Sequence, residues 1–451
     1  MLFSIFYMKE NKVDGFIKNP KKALFKLSIP IIIGMMVQVL YNVVDTAFVG
    51  RLGAEAIAAL TFSFPLFFLL IALNAGVAAG MSSRISRYLG EKKKEAAENT
   101  AMHGLLITVI LAVFVFVFGL MILRPFFLLL GAEGNVLELA VQYMTVILFG
   151  VFFMFPSFVF NSIFAAQGDT KTPMRVQILA LVLNMVLDYV FIFILGYGVA
   201  GAALATSISF VVALLVYLHY IGHRSYLKLE MSVYRFSLGI VKQIVKVGAP
   251  ATIMTLLLSV YMMFINRFMA HFGVNYVAAF GIASRLETVV VMPMLGFNMA
   301  LMTLVGMFYG AKRFDLMKDI IYYAMKIALL FTVGIGIVFY VLPSMFLSVF
   351  TNDALLISLG AAYLRIDVFA YPLMAVGMMI SRAMQGMGDG LPGLVINLVR
   401  IVVVAIPLAY IFVFVLGFGY LSIAVAMIIG GFTASSIAWV WLRIRLKKML
   451  G

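Results

Sequence analysis

The sequence predicts an all-α integral membrane protein of twelve transmembrane helices, built as two six-helix lobes that are parallel tandem repeats. Three observations predict it. Hydrophobic residues fill 65% of the 451 positions and charged residues only 11%, with a mean hydropathy of +1.13. Apolar runs of the roughly 20 residues that a bilayer span requires recur along nearly the whole chain, leaving no room for a water-soluble domain. The second half also repeats the first at a separation of 220 residues.

The elements follow in order. Residues 1–23 are Lys-rich and lack a small-residue cleavage site before a short apolar core, so they read as an uncleaved cytoplasmic, interfacial segment. Apolar runs then mark helices at about 24–50, 56–83, 95–123, 135–165, 172–195 and 199–222, the first lobe. A basic linker at 223–243, containing "HRSYLKLEMSVYRFSLGIVK", is long enough to run along the cytoplasmic surface. The second lobe, 244–451, holds helices at about 244–270, 276–308, 315–342, 353–385, 391–416 and 419–445, then a short tail.

Charge orients this array. With the N-terminus cytoplasmic, 26 Lys and Arg fall on the cytoplasmic side. Three (Arg51, Arg124, Arg267) fall outside, and four (Arg285, Lys326, Arg365, Arg400) lie within spans. This is the positive-inside asymmetry of a cell-membrane protein. It accounts for the net charge of +15 without a nucleic-acid partner and puts both termini in the cytoplasm. The absence of cysteine excludes disulfides, thiolate metal sites and thiol nucleophiles. His103, His219, His223 and His271 are scattered, with no zinc-binding pair, Ser–His arrangement or paired-aspartate motif, so no enzyme and no resident cofactor are predicted.

The repeat is specific. In the 220-residue register Lys26 pairs with Lys246, Pro30 with Pro250, Tyr41 with Tyr261, Gly53 with Gly273, Gly76 with Gly296 and Gly90 with Gly310. A further echo joins "QGDTKTP" (167–173) to "QGMGDGLP" (385–392). Six spans per half start both halves on the same side, so the lobes are related by an axis along the membrane normal, as in some transporter folds.

Where the repeat breaks, chemistry is expected. Asp45 aligns with Ile265, so the second lobe lacks this acid. Asn184 and Asp188, four apart, share one face of helix five, and helix six contributes Thr206. At 1.5 Å per residue, Asp45 lies about 8 Å from the outer end of its helix, and Asp188 and Thr206 about 10 Å from theirs. The four are therefore expected to face one another. Intramembrane carboxylates are rare and belong mostly to ion or proton pathways. Such a pair can hold a proton, or bind Na⁺ with the Asn184 and Thr206 oxygens, and the pattern does not choose between them. Gln38, Tyr41 and Asp45 stack on one face of helix one, above a proline, Pro30, that permits a kink. In the second lobe Arg285, Glu287, Arg365, Asp367 and Arg400 are expected to form partly buried ion pairs that hold helices together.

Three stretches carry a family resemblance: "IPIIIGMMVQVLYNVVDTAFVGRLGAEAIAAL" (29–60), "GDTKTPM" (168–174) and "NMVLDYVFIFILGYGVAGAALATSIS" (184–209). The chain resembles the multidrug and toxic compound extrusion (MATE) family over nearly its full length, most of all the branch of the DNA-damage-inducible F protein and its archaeal relatives. The resemblance implies a monomeric, cation-coupled (H⁺ or Na⁺) exporter of amphipathic, often cationic, small molecules. It implies a first-lobe coupling site of Asp45, Asn184, Asp188 and Thr206, which would ligate metal only if Na⁺ is the ion. Gln38, Tyr41 and Asn161 would line the substrate cavity, and Pro30 would be the hinge. A second-lobe cation site is not expected, because "APATIMTLLLSVYMMF" carries no acid. The alternative is a lipid-linked oligosaccharide flippase of related fold.

Overall fold

The computed structural model describes residues 11–450, without the side chains of residues 41–43 and 45–47. After a short helix, Val13–Lys18, the first lobe contains α1 (Pro20–Gly50), α2 (Ala54–Gly90), α3 (Lys94–Leu129) and α4 (Gly134–Ala166). It continues with α5 (Lys171–Asp188, prolonged by a wider π-type turn Tyr189–Ile194) and α6 (Gly198–His223). The second lobe contains α7 (Leu238–Phe272), α8 (Val274–Gly310), α9 (Phe314–Val341), α10 (Ala354–Asp367 and Ala370–Gly386, bent by 50°), α11 (Leu391–Val415) and α12 (Leu421–Leu450). Among the described residues eleven of these are long and apolar enough to cross a membrane, and the bent pair makes a twelfth. Exposed apolar faces such as Val109, Val113, Val117 and Met121 on α3 match a chain solvated by lipid.

The repeat is visible in the backbone itself. Gly53 (φ 110°) and Gly273 (φ 122°) open α2 and α8, whose bounds differ by 220 residues. Lys92 (φ 59°) and Lys312 (φ 56°) close the same helices in the left-handed region. Each closure pairs the next amide with a carbonyl five residues back, Lys93 N with Tyr88 O and Arg313 N with Phe308 O, both at 2.9 Å. Such bonds satisfy carbonyls that the helix end leaves open.

The chain forms two compact units, one of Met1–Gly15 with Ile29–Gly248, the other of Phe16–Ser28 with Ala249–Gly451. Both α1 and α7 thus change unit within a continuous helix, each two residues before its proline, Pro30 or Pro250. In the first unit the start of α7 lies backbone to backbone on α2. A Cβ on Gly248 would stand 2.6 Å from the Gly76 carbonyl oxygen, and one on Gly80 would strike the Ile244 carbonyl. "GVAAG" (76–80) is therefore a small-residue seat for a closely packed helix. In the second unit the start of α1 is held by Phe25, edge-on to Phe297 at 5.6 Å between ring centroids, and by Lys21 over the Tyr323 ring at 5.1 Å.

Two helix starts differ from the sequence reading. Helix one begins at Pro20 and helix seven at Leu238, four and six residues earlier than expected. The linker is consequently shorter than 223–243, and it is anchored to the first unit. Gln167 Oε1 accepts from Ser225 Oγ (2.8 Å) and from the amides of Tyr226 and Leu227 (3.1 Å each). Glu98 accepts from Lys228 N at 2.7 Å, Asn99 exchanges two bonds with the Arg235 backbone, and His103 Nε2 faces Ser237 N at 2.9 Å. These polar groups terminate the linker's backbone donors, and the basic and apolar periodicity used to place it carries no sign of them.

Two outcomes test this packing. Gly80→Ala forces the α2–α7 backbones apart and costs ~1–3 kcal/mol, the usual penalty for overpacking. It should lower the thermal midpoint in detergent, whereas Gly281→Ala, which meets nothing within 4 Å, leaves it unchanged or higher. Gln167→Leu strips one acceptor from three donors and should speed limited proteolysis between residues 224 and 237. An unchanged digestion pattern would show that the remaining anchors suffice.

Candidate functional site

Beyond its first turns, which carry Lys171, Thr172 and Arg175, helix α5 is apolar apart from a polar stripe. Gln177, Asn184 and Asp188, spaced by seven and four residues, project from one face. Asn184 and Asp188 are buried, with 1% and 0% exposure, and Thr206 on α6 is buried beside them. The Asn184 amide satisfies both neighbours in one orientation: its nitrogen donates to Asp188 Oδ2 at 2.8 Å and its oxygen accepts from Thr206 N at 3.2 Å. Immediately after Asp188 the helix widens into the π-type turn, where Leu195 N bonds Val190 O at 2.9 Å. Such local widening is frequent at functional positions.

A cavity adjoins this pair through Thr206. It is lined by Gln38 of α1, Ser157 and Asn161 of α4, Gln177 of α5, and Thr206, Ser209 and Tyr217 of α6. Its open volume is about 70 Å³, space for a few waters and far below the several hundred Å³ of drug-sized sites. The expected residues Asn184, Asp188 and Thr206 are thus brought together, and Gln38 and Asn161 meet Thr206 in the adjoining space. The side chains of Asp45 and Tyr41 lie outside the described residues. Pro30 sits within α1, which runs unbroken through it.

Four polar lining residues escaped the sequence reading: Ser157, Gln177, Ser209 and Tyr217. Gln177 had a usable signal, its place two turns before Asn184 on the same stripe. Ser157 and Ser209 bond the carbonyl one turn back, the common use of a hydroxyl in a span, and nothing in the sequence sets them apart.

The second lobe corrects one expectation. Among the described residues the ion pairs are Lys92–Asp14, Lys93–Glu91, Lys94–Glu98, Arg124–Glu138 and Arg313–Asp315, and none involves Arg285, Glu287, Arg365, Asp367 or Arg400. Arg285 and Arg365 are exposed, as long cationic side chains reaching toward polar surroundings would be. Glu287, Asp367 and Arg400 instead line a cavity of about 390 Å³, together with Arg382 and a set of methionines. Opposite charge on neighbouring helices suggested pairing, but the helices hold these groups around an open space.

Apolar helices in two repeated units, a buried carboxylate hydrogen-bonded by a side chain of its own helix, and cavities inside each lobe define the class as a multi-pass membrane transporter. The MatE family profile matches residues 30–190 and 250–411, one stretch in each lobe, and the chain belongs to that family. It is 30% identical over 396 residues to an "FAD transporter" of Shewanella oneidensis, covering 86% of this chain and 87% of that protein. It is 29% identical to the "Probable multidrug resistance protein YoeA" of Bacillus subtilis, covering 85% and 84%. Among solved structures, a MATE in the bent conformation matches with a TM-score of 0.94, 33% identity and 98% of each chain. A MOP superfamily transporter from Pyrococcus furiosus, described as having a binding pocket of reverse polarity, matches with a TM-score of 0.92 and 33% identity over 98% of this chain and 99% of its own. The fold is thus that of the MATE family, and the chain is a transporter, not an enzyme.

The Asn184–Asp188 contact has a measurable consequence. Asn184→Ala removes a donor from a buried carboxylate and an acceptor from Thr206 N, and should cost about 1–3 kcal/mol. Combined with Asp188→Ala in a double-mutant cycle, thermal unfolding should reveal a coupling energy above about 0.5 kcal/mol. Strict additivity would show that the two side chains do not interact.

Proposed function

We propose that this protein is a cation-coupled antiporter that exports amphipathic, often cationic, drug-like compounds by alternating access, with its coupling site in the first lobe. The observation that carries the reading is the buried Asn184–Asp188–Thr206 cluster beside the Gln38–Asn161 cavity. The relatives named for multidrug resistance support the substrate class. Asp45 completes the site in this reading, and the quoted motifs support membership of the branch of the DNA-damage-inducible F protein. The protein acts as a monomer in the cell membrane, with both termini cytoplasmic.

The coupling ion in this reading is the proton. In the amide orientation that satisfies both neighbours, Asn184 turns its nitrogen to Asp188. A carboxylate gains and loses a proton with no further ligand, and buried acids in spans belong mostly to ion or proton pathways. Na⁺ seeks several oxygen ligands, and Asn184 would have to reverse its amide to supply one. Proton entry from outside neutralises the carboxylates and relaxes the polar contacts of α1, which bends at Pro30 and changes the cavity volume. Coupling follows only if proton and substrate favour different states, since equal affinity for both shifts nothing. The narrowness of the cavity fits a carrier whose substrate space depends on where α1 stands.

The test is dye efflux from proteoliposomes of defined orientation, under an imposed pH gradient and, separately, an imposed Na⁺ gradient. The pH gradient should drive the wild type, and Asp188→Asn and Asp45→Asn should each abolish that response while the purified proteins stay folded. A response to Na⁺ alone would replace the ion and keep the site. Failure of both gradients would favour the second reading, a flippase for a lipid-linked oligosaccharide, for which the arginines of the second-lobe cavity speak.

A further inference from the structure

Among the described residues none of the four charged side chains lining the second-lobe cavity is in an ion pair, and Arg382 stands apart from the two acids. Glu287 and Arg400 carry opposite charges across the same space, and Asp367 shares its wall with the Tyr371 hydroxyl one turn along the chain. Arg382 has no carboxylate within 4.0 Å among the described residues, whose ion pairs all lie elsewhere. Its guanidinium donates to a neutral acceptor, Gln385 Oε1, at 2.8 Å. Fifteen residues of the bent α10 separate Arg382 from Asp367, about 20 Å measured along the helix, too far for Asp367 to neutralise it. A guanidinium carries five donors, and one neutral amide leaves most of them open to the cavity.

Beside it is a second unanswered donor. Ser381 is buried, at 2% exposure, and lines the cavity, and its hydroxyl has no hydrogen-bond partner. Gly393 of α11 makes the room that Ser381 occupies, since a Cβ there would strike the Ser381 oxygen. The wall also carries Met254, which lies beside Gln385, and Met262, Met292, Met374 and Met378, side chains that adapt to varied shapes. The scaffold does not require the polar end. Aligning Gln385 with Gln167 sets Arg382 against Phe164 and Ser381 against Ile163, both fully or almost fully buried in the first lobe.

We infer that this cavity is a second binding site, and that it takes an amphiphile with a single anionic group. The acidic group, a phosphate or a carboxylate, sits at Arg382 and Ser381, and the apolar body extends among the methionines. Charge-assisted bonds from a guanidinium to a planar or tetrahedral anion are among the stronger ones proteins make. The site is independent of the first-lobe coupling cluster.

The experiment is calorimetric titration of the full-length protein in a neutral detergent with octyl phosphate, octyltrimethylammonium and inorganic phosphate. The wild type should bind octyl phosphate at least tenfold more tightly than the other two probes. Arg382→Gln should abolish that preference, Arg382→Lys should keep it within a few fold, and Ser381→Ala should weaken it by a few fold. Because Arg382→Gln can unfold the second lobe, Arg382→Lys and Ser381→Ala carry the test in that event. Undiminished octyl phosphate binding in Arg382→Gln, or in Ser381→Ala should the former unfold, would overturn the inference. So would a preference for the ammonium probe that Glu287→Gln removes. Tight binding of inorganic phosphate alone would overturn the amphiphile part. Asp188→Asn should bind octyl phosphate like the wild type, so loss of proton-driven efflux leaves this inference standing, and its failure leaves the antiporter reading standing.

Discussion

A carboxylate enclosed in an apolar bundle constrains everything around it. A charged Asp at mid-membrane depth costs about 2.5–3.5 kcal/mol on insertion scales, so Asp188 persists only because its surroundings answer it. Asn184 answers from the same helix, and Thr206 fixes the amide that does so. The α5–α6 packing is therefore chemical as well as steric, because the Asn184 amide bridges the acid and the backbone of α6. A cavity opening onto Thr206 connects that bridge to whatever occupies the space beside it.

The backbone obeys a parallel constraint. In lipid every peptide group must be bonded within the protein, so a transporter cannot break its helices freely to create moving parts. This chain leaves α1 and α7 continuous while each passes from one unit to the other just before a proline. Proline removes one amide donor at a place where the bundle already changes partner, so flexibility is introduced with a single lost bond. The glycines of "GVAAG" serve the same end from the other side, allowing the start of α7 to approach α2 closely enough to be held by packing alone. Symmetry of the two arrangements follows from duplication, and the matching left-handed closures at Lys92 and Lys312 show how finely the copy was kept.

Much of this was legible in the sequence, for identifiable reasons. Twelve spans follow from length and apolarity, and Asn184, Asp188 and Thr206 were grouped from helix period and depth. What stayed hidden depends on relations between distant residues. The anchoring of the linker by Gln167, Glu98 and Asn99 uses ordinary polar residues whose partners lie 58 to 136 positions away, with no periodic trace. The fate of the second-lobe charges was misread because sequence shows signs, not separations. Glu287, Asp367 and Arg400 lie on three helices that could have brought them together and instead hold them around a cavity.

That last difference explains why duplication is informative in this fold. Two lobes copied from one plan share helix ends, glycine seats and proline positions, since those determine whether the bundle forms at all. Side chains facing the interior spaces are free of that demand, and there the copies part: Glu287 against Phe67 and Arg382 against Phe164. In each pair one lobe keeps the apolar residue that packing alone prefers. The other accepts the desolvation cost of a charge, with no gain in packing to offset it. The two interior spaces therefore differ in chemistry, one lying beside a single buried carboxylate and the other lined by two acids and two guanidiniums.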